Sequence, residues 1–253
     1  MRITVIGGTG LIGSRLVDVL ERGGHQVIAA SRATGVNSFT GEGLADALEG
    51  TQTVIDVSNS SYTDEAAALE FFETSTLNLL TYGAAAGVAH HVALSVVGTD
   101  RLARSHGGYF IAKAVQERLV IDSRRAYSLV HATQFFEFIR DITETALRCG
   151  GGSLADVLVQ PMAADDVASA VGDIAVGEPV GGIVEFAGPE VFSLADVARR
   201  DLRFRHDERE LLADPLGTYF GARVGRWDLL PDRGATISAT SLHQWQTGVP
   251  VPH

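Results

Sequence analysis

Tyr109 and Lys113 stand four residues apart in the run Tyr109-Phe110-Ile111-Ala112-Lys113. On a helix this spacing puts a phenol and an ammonium on one face. A nearby ammonium favours phenolate and lowers a pKa otherwise near ~10 toward the working range of an acid catalyst. When a carbonyl is reduced, negative charge gathers on its oxygen. A proton from Tyr109 and a second hydrogen-bond donor would both stabilise that charge. Ser95, just past the apolar run His91–Leu94, is placed by sequence to be that donor. Alone, Tyr-x-x-x-Lys is common as a surface pair; its meaning depends on what lies upstream.

Upstream lies VIGGTGLIGS, with Gly7, Gly10 and Gly13 in the order Gly-x-x-Gly-x-x-Gly. Gly7 suits a sharp turn out of a strand, Gly10 a close approach of backbone to a pyrophosphate, and Gly13 close packing of helix on sheet. The free N–H groups around Thr9, Gly10, Leu11 and Ile12 would then face phosphate, helped by the helix dipole. The pattern follows a clean strand and opens a clean helix, the context that a dinucleotide site requires. At the end of the second strand an NAD site places an acid against the ribose 2′-hydroxyl, whereas a 2′-phosphate wants a cation. Here that point carries Ser31 and Arg32 and no acid. A hydroxyl beside a guanidinium matches a phosphate monoester, so the expected cofactor is NADP rather than NAD.

The elements that must position these groups alternate short β-branched runs with longer amphipathic ones, the pattern of a parallel sheet covered by helices. Strands are expected at Ile3–Ile6, Gln26–Ala30, Thr53–Val57, His91–Leu94, Tyr127–Val130, Val157–Val159 and Ile183–Phe186. Helices are expected at Leu11–Arg22, Leu44–Leu48, Asp64–Ala86, Tyr109–Ser123, Phe135–Arg148 and Asp165–Val176, with another opened by Ser193. Only about twenty residues separate the second strand from the next, so the usual third strand must be very short or missing. The last fifty or so residues are mixed, with Trp227 and Trp245 as expected packing anchors.

The glycine turn, Ser95, Tyr109 and Lys113 together resemble the short-chain dehydrogenase/reductase superfamily. The segments HHVALSVVGTD (90–100), GYFIAKAVQERL (108–119), HATQFFEF (131–138) and QPMAADDVA (160–168) are closest to its extended and atypical branch, which includes NmrA-like and NAD(P)-dependent epimerase-like proteins. The resemblance implies a Rossmann-type, doubly wound α/β core over residues 1–190 and a small C-terminal substrate lobe over 191–253. It also implies that Val57, Ser58 and Asn59 line the adenosine and ribose side of the cofactor. Thr133 to Phe136 would lie beside the nicotinamide, and Lys113 would reach the nicotinamide ribose. NmrA-like regulators often lack the tyrosine, so Tyr109 tilts the reading to an enzyme. His131 stands where relatives often carry arginine.

Phe135 and Phe136 are candidates to roof an apolar substrate pocket, with plain core packing as the competing role for the neighbouring Phe138. Among the histidines, His90, His91, His106 and His131 show no metal-ligand spacing, and no metal is expected. His106, three residues before Tyr109, is either a substrate contact or a solvated loop residue. Asp165 and Asp166 read as an acidic helix start. The formal net charge of −11 and the lack of a basic cluster argue against nucleic acid as a partner. The single cysteine, Cys149, precludes an internal disulfide and suits a reducing compartment. No run is long enough to span a membrane and no signal-peptide layout is visible, so the expected location is the cytoplasm. A homodimer is the base-rate expectation for the oligomeric state.

The reading is thus an NADPH-dependent oxidoreductase acting on a carbonyl or conjugated carbonyl of a small, largely apolar molecule. Its rivals are an NmrA-like dinucleotide-sensing regulator and an epimerase or dehydratase that keeps its cofactor bound.

Overall fold

Strand β1 (Arg2–Ile6) buries Ile3, Val5 and Ile6 in the interior of a sheet. The computed structural model describes residues 1–105, 108–149 and 151–248. After β1 come α1 (Leu11–Arg22), β2 (Gln26–Ala30), α2 (Leu44–Leu48), β3 (Thr53–Asp56), α3 (Glu65–Ala85) and β4 (His90–Val96). Next are α4 (Thr99–Arg104), α5 (Gly108–Asp122), β5 (Tyr127–Ala132) and α6 (Phe136–Cys149). Then follow β6 (Ser153–Ala155), β7 (Leu158–Val159), α7 (Ala164–Val176), β8 (Ile183–Ala187), β9 (Phe192–Ser193) and α8 (Leu194–Phe204). The series ends with β10 (Leu212–Asp214), β11 (Thr218–Tyr219), β12 (Ala222–Arg223), β13 (Thr236–Ile237) and α9 (Leu242–Thr247).

Seven strands form one parallel sheet in the order β13-β8-β5-β4-β3-β1-β2. The chain steps outward from β1 to β2, then recrosses to β3 and proceeds the other way. This Rossmann-type winding reverses between β1 and β3, and such a reversal opens a crevice at the carboxyl ends of the strands. No strand lies beyond β2 among the described residues. The segment between β2 and β3 holds a 3-10 turn (Arg32–Thr34) and α2, in agreement with the short connection.

Helix positions follow from the sequence. Helix α1 buries Ile12, Leu16 and Leu20 against α7, which contributes Val167 and Val171 to the same apolar cluster. Gly172 faces α1 at this contact, where a Cβ would make an ordinary van der Waals contact 3.5 Å from Leu16 Cδ1. Helix α3 starts where the Asp64 carboxylate accepts the Ala67 N–H at 3.0 Å, a cap worth about 1 kcal/mol. On the other sheet face, α3 and α5 bury Phe72 and Phe110.

The residues after β5 build a second cluster of small pieces. Strand β6 pairs with β10, and β11 and β12 form a hairpin. Trp245 on α9 stacks on Phe136 with ring centroids 5.2 Å apart and donates its indole N–H to Glu137 at 3.0 Å. Trp227, expected to anchor the core in the same way, is instead 66% exposed. It sits in a surface turn closed by the Gly225 N–H on the Asp228 carboxylate, and the buried apolar residue there is Leu229. Strand β13 returns to the main sheet, pairing Thr236 with Phe186 and Ile237 with Ala187.

One backbone feature stands out in the hairpin. Its two-residue turn is Phe220–Gly221, with φ of +50° and +79°. A turn with two positive φ values normally carries Asn-Gly. A left-handed conformation costs an ordinary L-residue about 1–2 kcal/mol, so Phe220 holds its place against a backbone preference.

Candidate active site

The glycine turn has the geometry its spacing predicts. Gly7 has φ +82°, and a Cβ on it would press on Ser58 N at 2.9 Å. At Gly13 a Cβ would meet Gly7 O at 2.1 Å. Both positions therefore exclude any side chain, and the loop after β1 rests directly on the loop after β3. Gly10 caps α1 without a side-chain hydrogen bond, and the first turn carries no acid. The first helical bond runs from Ser14 N–H to Gly10 O at 3.0 Å, so the N–H groups of Leu11, Ile12 and Gly13 precede it and face the crevice end. Thr9, Gly10 and Leu11 are exposed, whereas Ile12 and Gly13 are buried.

At the end of β2, Arg32 is exposed, and no hydrogen bond or ion pair engages its guanidinium among the described residues. Ser31 Oγ also lacks a partner. The uncapped helix, the cradle that a Cβ would fill and this unengaged cation fit a dinucleotide. Bound there, its diphosphate would face residues 9–13 and its adenosine end would lie toward Ser31 and Arg32.

The loop after β3 is organised by Asp56, which is 1% exposed. Its Oδ1 accepts the Ser58 N–H at 2.9 Å and the Ser58 hydroxyl at 2.6 Å, and its Oδ2 accepts from Gln116 Nε2 at 2.8 Å. This fixes Val57, Ser58 and Asn59. From that loop Asn59 Oδ1 accepts the Tyr109 hydroxyl at 2.9 Å. Tyr109 is buried on α5 among Phe72, Phe110 and Phe220. Burial raises its pKa well above that of a free phenol, with the Asn59 bond opposing.

Lys113 lies one turn further along the same face, but its ammonium is directed inward. It donates to Leu94 O at 2.8 Å and to Gln116 Oε1, and lies 4.5 Å above the Phe72 ring. Burial lowers its pKa to about 8, against the opposing attraction of Asp56 and Glu117. The expected lowering of the tyrosine pKa by this lysine is therefore not what governs Tyr109 here; loss of water around the phenol outweighs it.

Ser95 is the third member of the expected set, and its hydroxyl is engaged elsewhere. It donates to Glu117 Oε1 and lies 3.4 Å from Thr99 Oγ1. Glu117 is eight residues, about two helical turns, from Tyr109. No hydrogen bond joins Ser95 to Tyr109 among the described residues. Glu117 also lies 3.0 Å from His131 Nε2. Glu117 is held below the usual carboxylate range because its bonds to His131 and Ser95, with the Lys113 charge, outweigh the opposing effect of burial, its largest single influence.

Beyond β5, Thr133 donates its hydroxyl to Gln160 O at 2.6 Å. Phe135 is half-buried against the cluster that holds Ile12 and Met162. Phe136 is 2% exposed and stacked on Trp245, so core packing accounts for it. Between Thr133 and Phe135, Gln134 is 4% exposed and both ends of its amide lack partners. The expected nicotinamide-side stretch Thr133 to Phe136 includes it, but with no role of its own. Asn59, Asp56 and Gln116 were missed as a connected set. His106 lies outside the described residues.

Residues 3–135 match the model of the NAD dependent epimerase/dehydratase family. No curated protein matches the chain. Among solved structures, a dTDP-4-dehydrorhamnose reductase from Bacillus anthracis str. Ames in complex with NADP superposes with TM-score 0.72 at 13% identity, covering 98% of this chain and 95% of that one. A short-chain dehydrogenase/reductase superfamily protein from Agrobacterium tumefaciens with bound NAD gives TM-score 0.71 at 14% identity, with coverage of 98% and 95%. A UDP-glucose 4-epimerase from Thermotoga maritima with UDP-glucose gives 0.68 at 16%, with coverage of 91% and 89%. At such identities the likeness is one of fold.

Proposed function

Because the chain belongs to the NAD dependent epimerase/dehydratase family, within the short-chain dehydrogenase/reductase superfamily, we propose that it is an NADPH-dependent oxidoreductase. Its substrate is a small, largely apolar molecule bearing a carbonyl or conjugated carbonyl. The observation that carries this reading is the buried Tyr109 hydroxyl held 2.9 Å from Asn59, on the loop that packs against Gly7. An acid group thereby stands at the same crevice as the dinucleotide cradle.

A reduced nicotinamide supplies hydride when bound. The chain's own residues handle the proton. Burial keeps the Tyr109 phenol protonated, so it is a donor at neutral pH. Asn59 Oδ1 orients the hydroxyl, and its Nδ2, which has no partner among the described residues, is the second donor to the substrate oxygen. Lys113 spends two of its three N–H donors on Leu94 O and Gln116; the third serves a ribose hydroxyl. Ser95, bound to Glu117, acts here as a positioning residue. Arg32 and Ser31 select the 2′-phosphate of NADP.

A panel of ketones, quinones and enones assayed for NADPH oxidation, with NADH as control, tests the activity. Tyr109→Phe should lower turnover by roughly 10²–10⁴-fold while the Kd for NADPH stays unchanged; full activity in the variant would end this mechanism. The family match also favours an epimerase or dehydratase that retains its dinucleotide. Copurifying cofactor with no net NADPH consumption would select that reading.

A further inference from the structure

A cavity of about 300 Å³ lies between α6, β6 and the β11–β12 hairpin, with Tyr62, Ile142, Leu154, Leu194, Tyr219 and Phe220 in its lining. Phe220 belongs to two places at once. Its ring lines this cavity, and it also packs 5.8 Å from the ring of Tyr109. Tyr62, itself in the lining, at 4.7 Å and Phe138 at 5.5 Å brace it. The ring is therefore the partition between the cavity and the tyrosine.

We propose that Phe220 determines substrate specificity by dividing the site, so that the occupant at Tyr109 is a compact, uncharged, largely apolar carbonyl compound. The proposal rests on the role of Tyr109 given above. Three observations support it. The volume is at the small end of the range for ligand pockets. The lining contains no Lys or Arg, and its one carboxylate, Asp214, accepts the Leu216 N–H, so nothing there neutralises a diphosphate. Of the arginines on α6 and in the segment after α8, Arg140 is engaged with Asp201, and Arg205 and Arg209 with Glu144. The turn itself is the third. Asn or Gly would suit position 220 better than Phe, yet the position carries a large ring. An observed backbone outlier beside a reactive group is where a functional constraint is to be sought.

The test compares the intact protein with Phe220→Asn, which suits the turn, and with Phe220→Gly as a second variant of the same kind. Acetophenone and 4-phenylacetophenone serve as small and large probes, measured both by calorimetric binding in the presence of NADP⁺ and by kcat/KM with NADPH. Loss of the ring's packing against Tyr62, Tyr109 and Phe138 outweighs the relief of the turn, so the variants should have a lower Tm while staying folded and keeping the NADPH Kd. Their preference for the large ketone over the small one should rise by roughly tenfold or more. A folded variant with the wild-type ratio in both measurements would overturn the proposal, and so would tight binding of UDP-glucose to the wild-type protein. If no ketone is reduced by any of the proteins, the oxidoreductase reading fails. The binding ratio then still decides whether Phe220 divides the site.

Discussion

Tyr109, Lys113 and Glu117 lie at successive turns of one buried face of α5, and each is answered from a different part of the chain. Asn59 comes from the loop after β3, Leu94 from within β4, and His131 from β5. The Tyr109–Lys113 pair was legible because its two members are close in sequence. Their partners were not, because Asn59 and Asp56 lie about fifty residues or more away and only the sheet brings them near. A signal for Glu117 did exist: it extends the i, i+4 series by one step, on a face expected to be apolar. Ser95 was expected just past a strand ending at Leu94 but lies inside β4, which runs on to Val96, and which neighbour its hydroxyl faces depends on that unread glutamate. At this scale Lys113 gives a prediction with a definite sign. Its folded pKa of about 8 lies below the unfolded value near ~10.4, so between these values the unfolded chain binds more protons and stability rises with pH. In Lys113→Met this rise is absent. The Tm of wild type relative to the variant should increase from pH 8 to pH 10.5; a flat difference would show that the buried ammonium is not desolvated as described.

At the scale of elements, the long periodic segments were readable almost to their ends. Helix α1 occupies Leu11–Arg22 as its pattern predicts, and β3 stops one residue short of the expected Val57. The reason is physical: each buries a full stripe or face, which repeats in the sequence. The short strands β6 and β10 to β13, and the helix α4, carry two to six residues each. They are too brief to show a period, and for β6, β10 and β13 the pairing depends on partners far along the chain. The glycine turn is the best-read element because its constraint is local. Gly13→Ala puts a methyl where Gly7 O already lies, 2.1 Å from the new Cβ. The helix must shift off the sheet, and the Kd for NADPH should weaken by at least about tenfold, a change of 1.4 kcal/mol. Unchanged affinity would mean that the turn does not hold the diphosphate.

For the whole molecule, the α/β winding was legible from alternation, whereas the return of β13 to the main sheet was not. One strand of the sheet core also carries an acid sensitivity. His90 and His91 on β4 are both 4% exposed, and burial, above all other influences, holds their pKa values below the usual histidine range. The unfolded chain takes up protons as pH falls through ~6.5, while the folded one resists. Their stabilising contribution is complete above that value and lost below it. Tm should therefore drop between pH 6.5 and pH 4, and less steeply in His91→Gln; equal slopes would remove these histidines from the account.

The position of β13 bears on how the molecule is made. Strands β1, β2 and β3, which flank the dinucleotide crevice, are all contained in the first fifty-six residues. The far edge of the same sheet waits for residues 236–237. During synthesis the glycine turn and its three neighbouring strands thus emerge long before the residues that close the sheet. A nascent protein in that interval exposes β8 as an unfinished edge, open to a neighbour's strand until its own arrives.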